Sequence, residues 1–186
     1  MSSKNNSIND VANVQLSGFI QLIDPDSNEL ILAKKNAINY NKIANLISTM
    51  LTSSHSVVIG SVVYGNSGVL IDSIGNVTYK PTNTTRGSTL DLYNQIIEKA
   101  LSTDTLTSVN NISIPVDPDD NSVDIVINSL LDYDELYNSS SDFEINELGL
   151  KTSDGELFSH VAFHPIQKTG NRKIKLVYTI RISVGL

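Results

Sequence analysis

Cysteine and tryptophan are both absent from this sequence of 186 residues. Without cysteine the chain has no disulfide framework, no thiolate zinc site and no cysteine nucleophile. No run of about 18 apolar residues occurs, so we expect no membrane-spanning helix. The first ten residues, MSSKNNSIND, contain no apolar stretch, and we therefore expect no signal peptide.

Positive charge is also scarce. The chain has 13 lysine and arginine residues against 20 aspartate and glutamate residues, which gives a formal net charge of −7. A surface of this sign repels nucleic acid and anionic lipid. We therefore expect neither a membrane nor specific nucleic-acid binding among its partners.

Short polar residues are abundant instead. Serine, threonine and asparagine make up roughly three residues in ten, while 40% of the chain is hydrophobic. This composition supports one core of ordinary size, and it favours β-strands joined by many turns over a helical bundle.

Alternating apolar and polar residues predict the strands. Residues 13–23 alternate, and so does the long final segment 173–184, where every second residue is apolar. Between the two, Asp24–Asn28 and Ser153–Gly155 have the composition of hairpin turns. The other predicted strands cover residues 30–33, 57–64, 77–79, 95–101, 106–114, 123–127, 143–152 and 157–163.

One segment has the period of a helix. Ile43, Ile47, Met50 and Leu51 recur at helical spacing, which predicts an α-helix over about 41–52. The fold class is therefore mainly β: a β-sandwich-like single domain, residues 14–186, with one α-helix and a flexible N-terminal arm, residues 1–13.

Two of the three histidines, His160 and His164, stand four residues apart in FSHVAFHP. On a helix this spacing would present two ligands to one metal ion. In the strand predicted here, the two side chains would lie about 13 Å apart on one face, at ~3.3 Å per residue. Both cannot then reach one zinc ion, because each ligand must lie about 2 Å from it. We expect a packing or interface role instead.

Two aspartate-rich stretches begin like calcium loops. In DPDDNS, Asp117, Asp119 and Asn121 match the first three ligand positions. Ser122 then replaces the required glycine, and Asn128 replaces the bidentate glutamate. DPDSN at 24–28 fails in the same way, with Glu29 and Lys35 at those positions. Turn chemistry explains both stretches.

Enzyme signatures are missing from the sequence. It contains no nucleophile elbow and no glycine-rich phosphate loop. Glu144 and Glu147 are three apart in a predicted strand, so they should point to opposite faces and make a poor acid–base pair. We therefore predict no catalytic residue, no cofactor site and no metal site. Asn-x-Ser/Thr sequons, among them those at Asn76, Asn83, Asn111 and Asn138, are expected by chance in such a composition.

Three stretches carry a family resemblance. They are ELILAKKNAINYNKIANLISTML, VVYGNSGVLIDSIGNVTYKPTNTTRGSTLDLYNQ and NELGLKTSDGELFSHVAFHPIQKTGNRKIKLVYTIRI. In this order they resemble a family of small virion structural proteins of tailed bacteriophages, encoded among the head, neck and tail genes. The sequence departs from that pattern in two loops, with Ser67 among the glycines of a turn and Thr82 in place of a second proline.

The resemblance implies assembly within a virion and no catalysis. The resemblance does not fix the substructure of the virion; our leading hypothesis is a homo-oligomeric ring or collar of six- or twelvefold symmetry in the neck or tail, in contact with portal, neck or tail proteins. Residues 1–13 and the loop 80–90 are candidates for ordering on assembly. The alternatives are a capsid decoration protein and a receptor- or glycan-binding module associated with a fibre.

Overall fold

The structure is a computed structural model that describes residues 13–39, 43–44, 47–48, 52, 57–83, 91–115, 122–135 and 143–185. Its strands within these residues are, in chain order, β1 (Asn13–Asp24), β2 (Glu29–Ile38), β3 (Ile59–Gly65), β4 (Val69–Ile71), β5 (Val77–Tyr79), β6 (Gln95–Ala100), β7 (Asn111–Ser113), β8 (Ser122–Leu131), β9 (Phe143–Thr152), β10 (Leu157–Lys168) and β11 (Ile174–Gly185).

Nine strands form one continuous antiparallel sheet in the order β6-β3-β9-β10-β2-β1-β11-β8-β7. Strand β2 divides it, because its residues up to Asn36 pair with β1, whereas Ala37 and Ile38 pair with β10. We call β2-β1-β11-β8-β7 the first sheet and β6-β3-β9-β10 the second sheet. Strands β4 and β5 form a separate hairpin.

The inner faces of the two sheets share one hydrophobic core. In the first sheet Ile20, Tyr178 and Ile127 lie side by side on β1, β11 and β8. In the second sheet Tyr64 lies beside Leu148, and both are fully buried in the same cluster. The architecture is therefore β-sandwich-like, as predicted. Truncating one fully buried leucine of this core to alanine would cost about 2–5 kcal/mol.

The predicted strands at the C-terminal end are confirmed. Strand β9 has the predicted bounds, and β11 runs one residue later than the predicted 173–184. Strand β10 is longer than predicted, because it continues through Pro165 to Lys168. The pairing with β9 shifts between Ala162 and Ile166, and such an irregularity tolerates a proline that has no N–H to donate.

The predicted strand over 106–114 is wrong for its first half, since only Asn111–Ser113 is a strand. A turn at Asp104 replaces it: the Asp104 carboxylate accepts the N–H groups of Leu106 and Thr107, and its backbone carbonyl accepts the N–H of Ser108. Aspartate favours such local bonds over a strand ladder, a preference that the apolar pattern does not reveal.

The helix prediction is confirmed where the structure describes this segment. Residues 43, 44, 47, 48 and 52 are helical, and the remainder of 41–52 lies outside the described residues. Ile43 is buried in the shared core, whereas Ile47 is half-exposed. The predicted arm also lies outside the described residues, except that Asn13 is the first residue of β1. Among the described residues, no helix has the length and apolar character to cross a membrane.

Candidate functional site

The outer face of the second sheet is buried, although it points away from the core. Alternation along β9 and β10 places Glu147, Gly149, His160 and Ala162 on this face, opposite the core residue Leu148. Chain segments on either side of the β4–β5 hairpin cover it. Leu92 from one of these segments packs with Val63 and Leu157 in a second hydrophobic cluster. Strand β9 is therefore buried on both faces from Ile145 to Thr152.

Glu147 and His160 form the centre of this outer layer, and both side chains are fully buried. The Nε2 atom of His160 lies 3.1 Å from a carboxylate oxygen of Glu147. The carboxylate also accepts backbone N–H groups from Ser67 at 3.1 Å, Tyr93 at 3.0 Å and Asn94 at 2.9 Å. Four donors thus surround one buried carboxylate.

The bonds of His160 fix its tautomer. Its Nδ1 atom accepts the backbone N–H of Asn83 at 2.9 Å, so the ring proton lies on Nε2 and is donated to Glu147. The ring of Tyr93 packs against the imidazole with 5.8 Å between centroids. Both nitrogens of His160 are therefore occupied by protein partners.

The electrostatics of Glu147 follow from this arrangement. Burial alone raises the pKa of a carboxyl, because it disfavours the charged form. At Glu147 the hydrogen bonds from His160, Asn94, Tyr93 and Ser67 outweigh burial, and the pKa is lowered below its ordinary value. The group is therefore a buried carboxylate, held in its charged form by donors whose positions the fold fixes.

The network ties three distant segments to the second sheet. Ser67 follows β3, Asn83 follows the hairpin, and Tyr93 and Asn94 precede β6. Asn146 adds a parallel link, because its Oδ1 atom accepts the N–H of Gly68 at 2.8 Å. The segments approach so closely that a Cβ atom on Gly68 would lie 2.7 Å from the Cβ of Glu147.

The tied segments hold the β4–β5 hairpin, residues 69–79, against the outer face. Val69 is buried, and Lys80 donates its N–H to the carbonyl of Gly68 at 2.9 Å. The turn is organised by Asp72, which accepts the N–H groups of Ile74 and Asn76. The hairpin nevertheless exposes four large apolar side chains: Leu70 (59%), Ile71 (53%), Ile74 (82%) and Tyr79 (48%). We call this element the apolar hairpin.

A second apolar region lies on the outer face of the first sheet. Leu106 (95% exposed) and Val109 (62%) stand on the turn that follows Asp104. They border a pocket of about 420 Å³, which we call the loop pocket. It is lined by Pro25, Thr105, Leu106, Thr107, Ser108, Val109, Asn111, Asn128, Leu130 and Lys175.

The structure separates the two histidines that the sequence raised as candidates. Both lie on β10, as the strand prediction requires. His160 is buried on Glu147, whereas His164 is exposed, with its Nδ1 3.3 Å from the carbonyl oxygen of Pro165. The described parts of the chain contain no cluster of three or more histidine, aspartate or glutamate side chains with metal-site geometry.

The other candidates have mixed outcomes. DPDSN at 24–28 is a turn, in which Asp24 accepts the N–H groups of Asp26 and Ser27. Asp117, Asp119 and Asn121 lie outside the described residues. Glu144 is half-buried and accepts a hydrogen bond from the side-chain amide of Asn146. Of the sequons, Asn76 is exposed, Asn83 and Asn111 are buried, and Asn138 is outside the described residues.

The Glu147–His160 pair and the apolar hairpin were not predicted from the sequence. A signal for the pair was present, because a hairpin turning at residues 153–155 brings 147 and 149 beside 160 and 162 on one face. Nothing in the sequence indicated that this face would be covered.

Comparisons with known proteins add no relative. No family model, no curated protein and no solved structure matches this chain.

Proposed function

We propose that this chain is a non-enzymatic virion structural protein of a tailed bacteriophage. In this proposal it forms a homo-oligomeric ring or collar in the neck or tail beside the portal vertex, with six- or twelvefold symmetry. Its neighbours there are portal, neck or tail proteins. The family comes from the resemblance of the three sequence stretches, and the assembly role from the exposed surface.

One observation supports the assembly role most directly. The apolar hairpin exposes Leu70, Ile71, Ile74 and Tyr79 on a single small element. Single exposed apolar residues are normal, but four on one short hairpin concentrate apolar surface in a way that is typical of protein–protein contacts. The buried network around Glu147 holds the hairpin in place, so these four apolar side chains are exposed on a rigid element.

The buried polar centre fits a structural role. Glu147 and His160 meet protein donors and acceptors at every ring nitrogen and carboxylate oxygen. Their hydrogen bonds fix the neighbouring backbone segments in place and make the subunit rigid. A subunit that is repeated in a large assembly needs such rigidity.

The net charge is compatible with a position around a DNA conduit. A chain with a formal charge of −7 repels the phosphate backbone, so DNA would pass such a wall without adhering to it.

Mass photometry and negative-stain electron microscopy of the purified chain test the proposal. We expect closed rings of six or twelve copies, formed by the chain alone or on addition of its neighbouring portal or tail proteins. A chain that binds tailless empty capsids instead would be a decoration protein. A chain that remains monomeric or trimeric and binds on a glycan array would be a receptor-binding module. Either result would contradict the proposal that the chain forms a ring.

A further inference from the structure

We infer that uptake of a proton by His160 releases residues 80–83 from β10 and loosens the support of the apolar hairpin, so that this element responds to acidity. The inference goes beyond the proposed function, and it does not depend on whether the chain forms a ring.

Residues 80–83 follow β5 directly and connect the apolar hairpin to the sheet beneath it. The backbone N–H of Asn83 donates to Nδ1 of His160 at 2.9 Å, and this buried bond ties the segment to β10. Two further bonds join the segment to residues 91–93 within the covering layer. Asn83 Nδ2 donates to the carbonyl of Asp91 at 2.8 Å, and the Tyr93 hydroxyl donates to the carbonyl of Pro81 at 2.9 Å. One histidine nitrogen therefore carries a bond that attaches the hairpin's C-terminal end to the sheet.

This bond requires a neutral imidazole. The Nε2 atom carries the proton that is donated to Glu147, so Nδ1 has the lone pair that accepts the N–H of Asn83. A proton taken from water can add to the ring only at that lone pair. The resulting imidazolium is a donor at both nitrogens, and its Nδ1–H would face the N–H of Asn83. Two donors cannot bond to each other, so the Asn83 backbone must withdraw.

Glu147 allows the proton to be taken up inside a buried layer. Burial disfavours an imidazolium, but the carboxylate 3.1 Å from Nε2 compensates the charge and keeps its bond to Nε2–H. The carboxylate does not take the proton first, because its four donors lower the pKa of Glu147, whereas histidine is the side chain that ordinarily changes charge between about pH 5 and 8. Ser67, Tyr93 and Asn94 therefore stay bonded to Glu147 while Asn83 is released.

The other charged and titratable side chains on the elements packed against His160 are engaged with one another. They are Lys34 over the Tyr79 ring at 4.6 Å, Lys80 over the Tyr93 ring at 4.5 Å, and Lys151 beside the Asp91 carboxylate at 3.0 Å. Among the described residues, Glu147 is the charged group that bonds to the His160 ring. The charge on this pair therefore decides whether the Asn83 bond persists.

The release is local, because the sandwich and the N-terminal end of the hairpin are held by groups that do not titrate. The two sheets meet in a large apolar core, which is separate from the outer layer. Gly68, just before β4, donates its N–H to the side-chain amide oxygen of Asn146 at 2.8 Å. Acidification should therefore free the hairpin at its C-terminal end and leave its N-terminal end attached.

Amide hydrogen exchange of the full chain, followed by NMR between about pH 7.5 and about pH 5, tests the inference. After correction for the intrinsic pH dependence of exchange, the protection of the Asn83 amide should fall roughly tenfold or more, as expected when one buried hydrogen bond is lost. This loss should follow the protonation of Nδ1 of His160 in ¹⁵N spectra. The Gly68 amide is the internal control, and its protection should stay constant because Asn146 does not titrate.

Two substitutions of His160 separate the roles of its two nitrogens. His160→Asn places an amide oxygen near the position of Nδ1 and cannot take up a proton, so the Asn83 amide should stay protected at both pH values. His160→Gln extends toward Glu147 and lacks the Nδ1 acceptor, so the Asn83 amide should be unprotected already at neutral pH. The measurement on the wild-type chain decides the question if either variant fails to fold.

Three results would overturn the inference. In the first, Nδ1 of His160 becomes protonated while the Asn83 amide keeps its protection. In the second, His160 stays neutral until the whole sandwich unfolds. In the third, Gly68 loses protection together with Asn83, which would mean that the layer opens as a whole. None of these results bears on ring formation, which mass photometry tests separately.

Discussion

His160 donates its Nε2 proton to Glu147 at 3.1 Å, and both side chains are completely excluded from solvent. The two residues lie on adjacent strands of a hairpin, on the face that points away from the core. Around them, backbone donors from Ser67, Tyr93 and Asn94 complete the coordination of the carboxylate. The pair is therefore the anchor through which the second sheet holds its outer layer.

Replacing Glu147 with glutamine should destabilise the protein strongly. The glutamine amide is uncharged. Its NH₂ group is itself a donor, and it would face groups that now donate hydrogen bonds to the carboxylate. We expect a loss of roughly 2–4 kcal/mol in the free energy of unfolding, measured by urea denaturation. Glu29→Gln, at an exposed glutamate of β2, is the control and should change stability by less than about 0.5 kcal/mol. Equal effects of the two substitutions would contradict the anchor role.

The stability contributed by Glu147 should depend on pH. Because the pKa of its carboxyl is lower in the folded chain than the ordinary value of 4.5, the unfolded chain binds this proton more readily. The contribution is then complete above about pH 5 and is lost as pH falls through the folded pKa. The gap in unfolding free energy between wild type and Glu147→Gln should therefore narrow from pH 5 toward pH 3. A gap that stays constant or widens on acidification would refute this.

His160 should be observed as a single tautomer. Asn83 donates its N–H to Nδ1, so a proton on Nδ1 would meet another donor, and the Nε2–H form is fixed. Long-range ¹H–¹⁵N spectra at neutral pH should show an unprotonated Nδ1 and a protonated Nε2 for this residue. Protonation of both nitrogens of His160 at neutral pH would exclude the proposed bonding.

Gly65→Ala should be more damaging than Gly75→Ala. A Cβ atom on Gly65 would lie 2.5 Å from the Asn94 carbonyl oxygen and 2.6 Å from a carboxylate oxygen of Glu147. The backbone or the Glu147 network would have to move, at a cost of roughly 2–3 kcal/mol or more. At Gly75 the Cβ meets nothing within 4 Å, and only the positive φ of 89° is strained, at about 1–2 kcal/mol. Thermal melts of the two variants compare these costs directly, and a similar loss at both sites would count against close packing at Gly65.

The prediction of strands succeeded where one local pattern decided the structure. In β11 the apolar residues alternate over the whole length, and in β9 and β10 a Ser-Asp-Gly turn separates two apolar runs. Prediction failed over residues 106–110, where the apolar residues suggest a strand, but the Asp104 carboxylate bonds the next N–H groups and makes a turn. Side-chain bonds to the backbone compete with strand pairing, and the apolar pattern does not record that competition.

The candidate site was less accessible to prediction than the fold. Glu147 was set aside because its partner was sought three residues away, at Glu144. Its actual partners are at positions 67, 93, 94 and 160, and only the pairing of β9 with β10 could have been anticipated from the turn between them. The same holds for the apolar hairpin: its second strand, 77–79, was predicted, but its placement on the second sheet was not.

By itself, the sequence determined the mainly β class, the strand alternation and most of the turns, because these depend on residues within a few positions of one another. Only the tertiary structure decided that β2 pairs with both sheets, that Glu147 is buried among four donors, and that Ile74 and the loop pocket lie on opposite outer faces. Those relationships join segments far apart in the chain. They are set by which surfaces pack together and by the need to bond every buried polar group, and neither is encoded in any short stretch of residues.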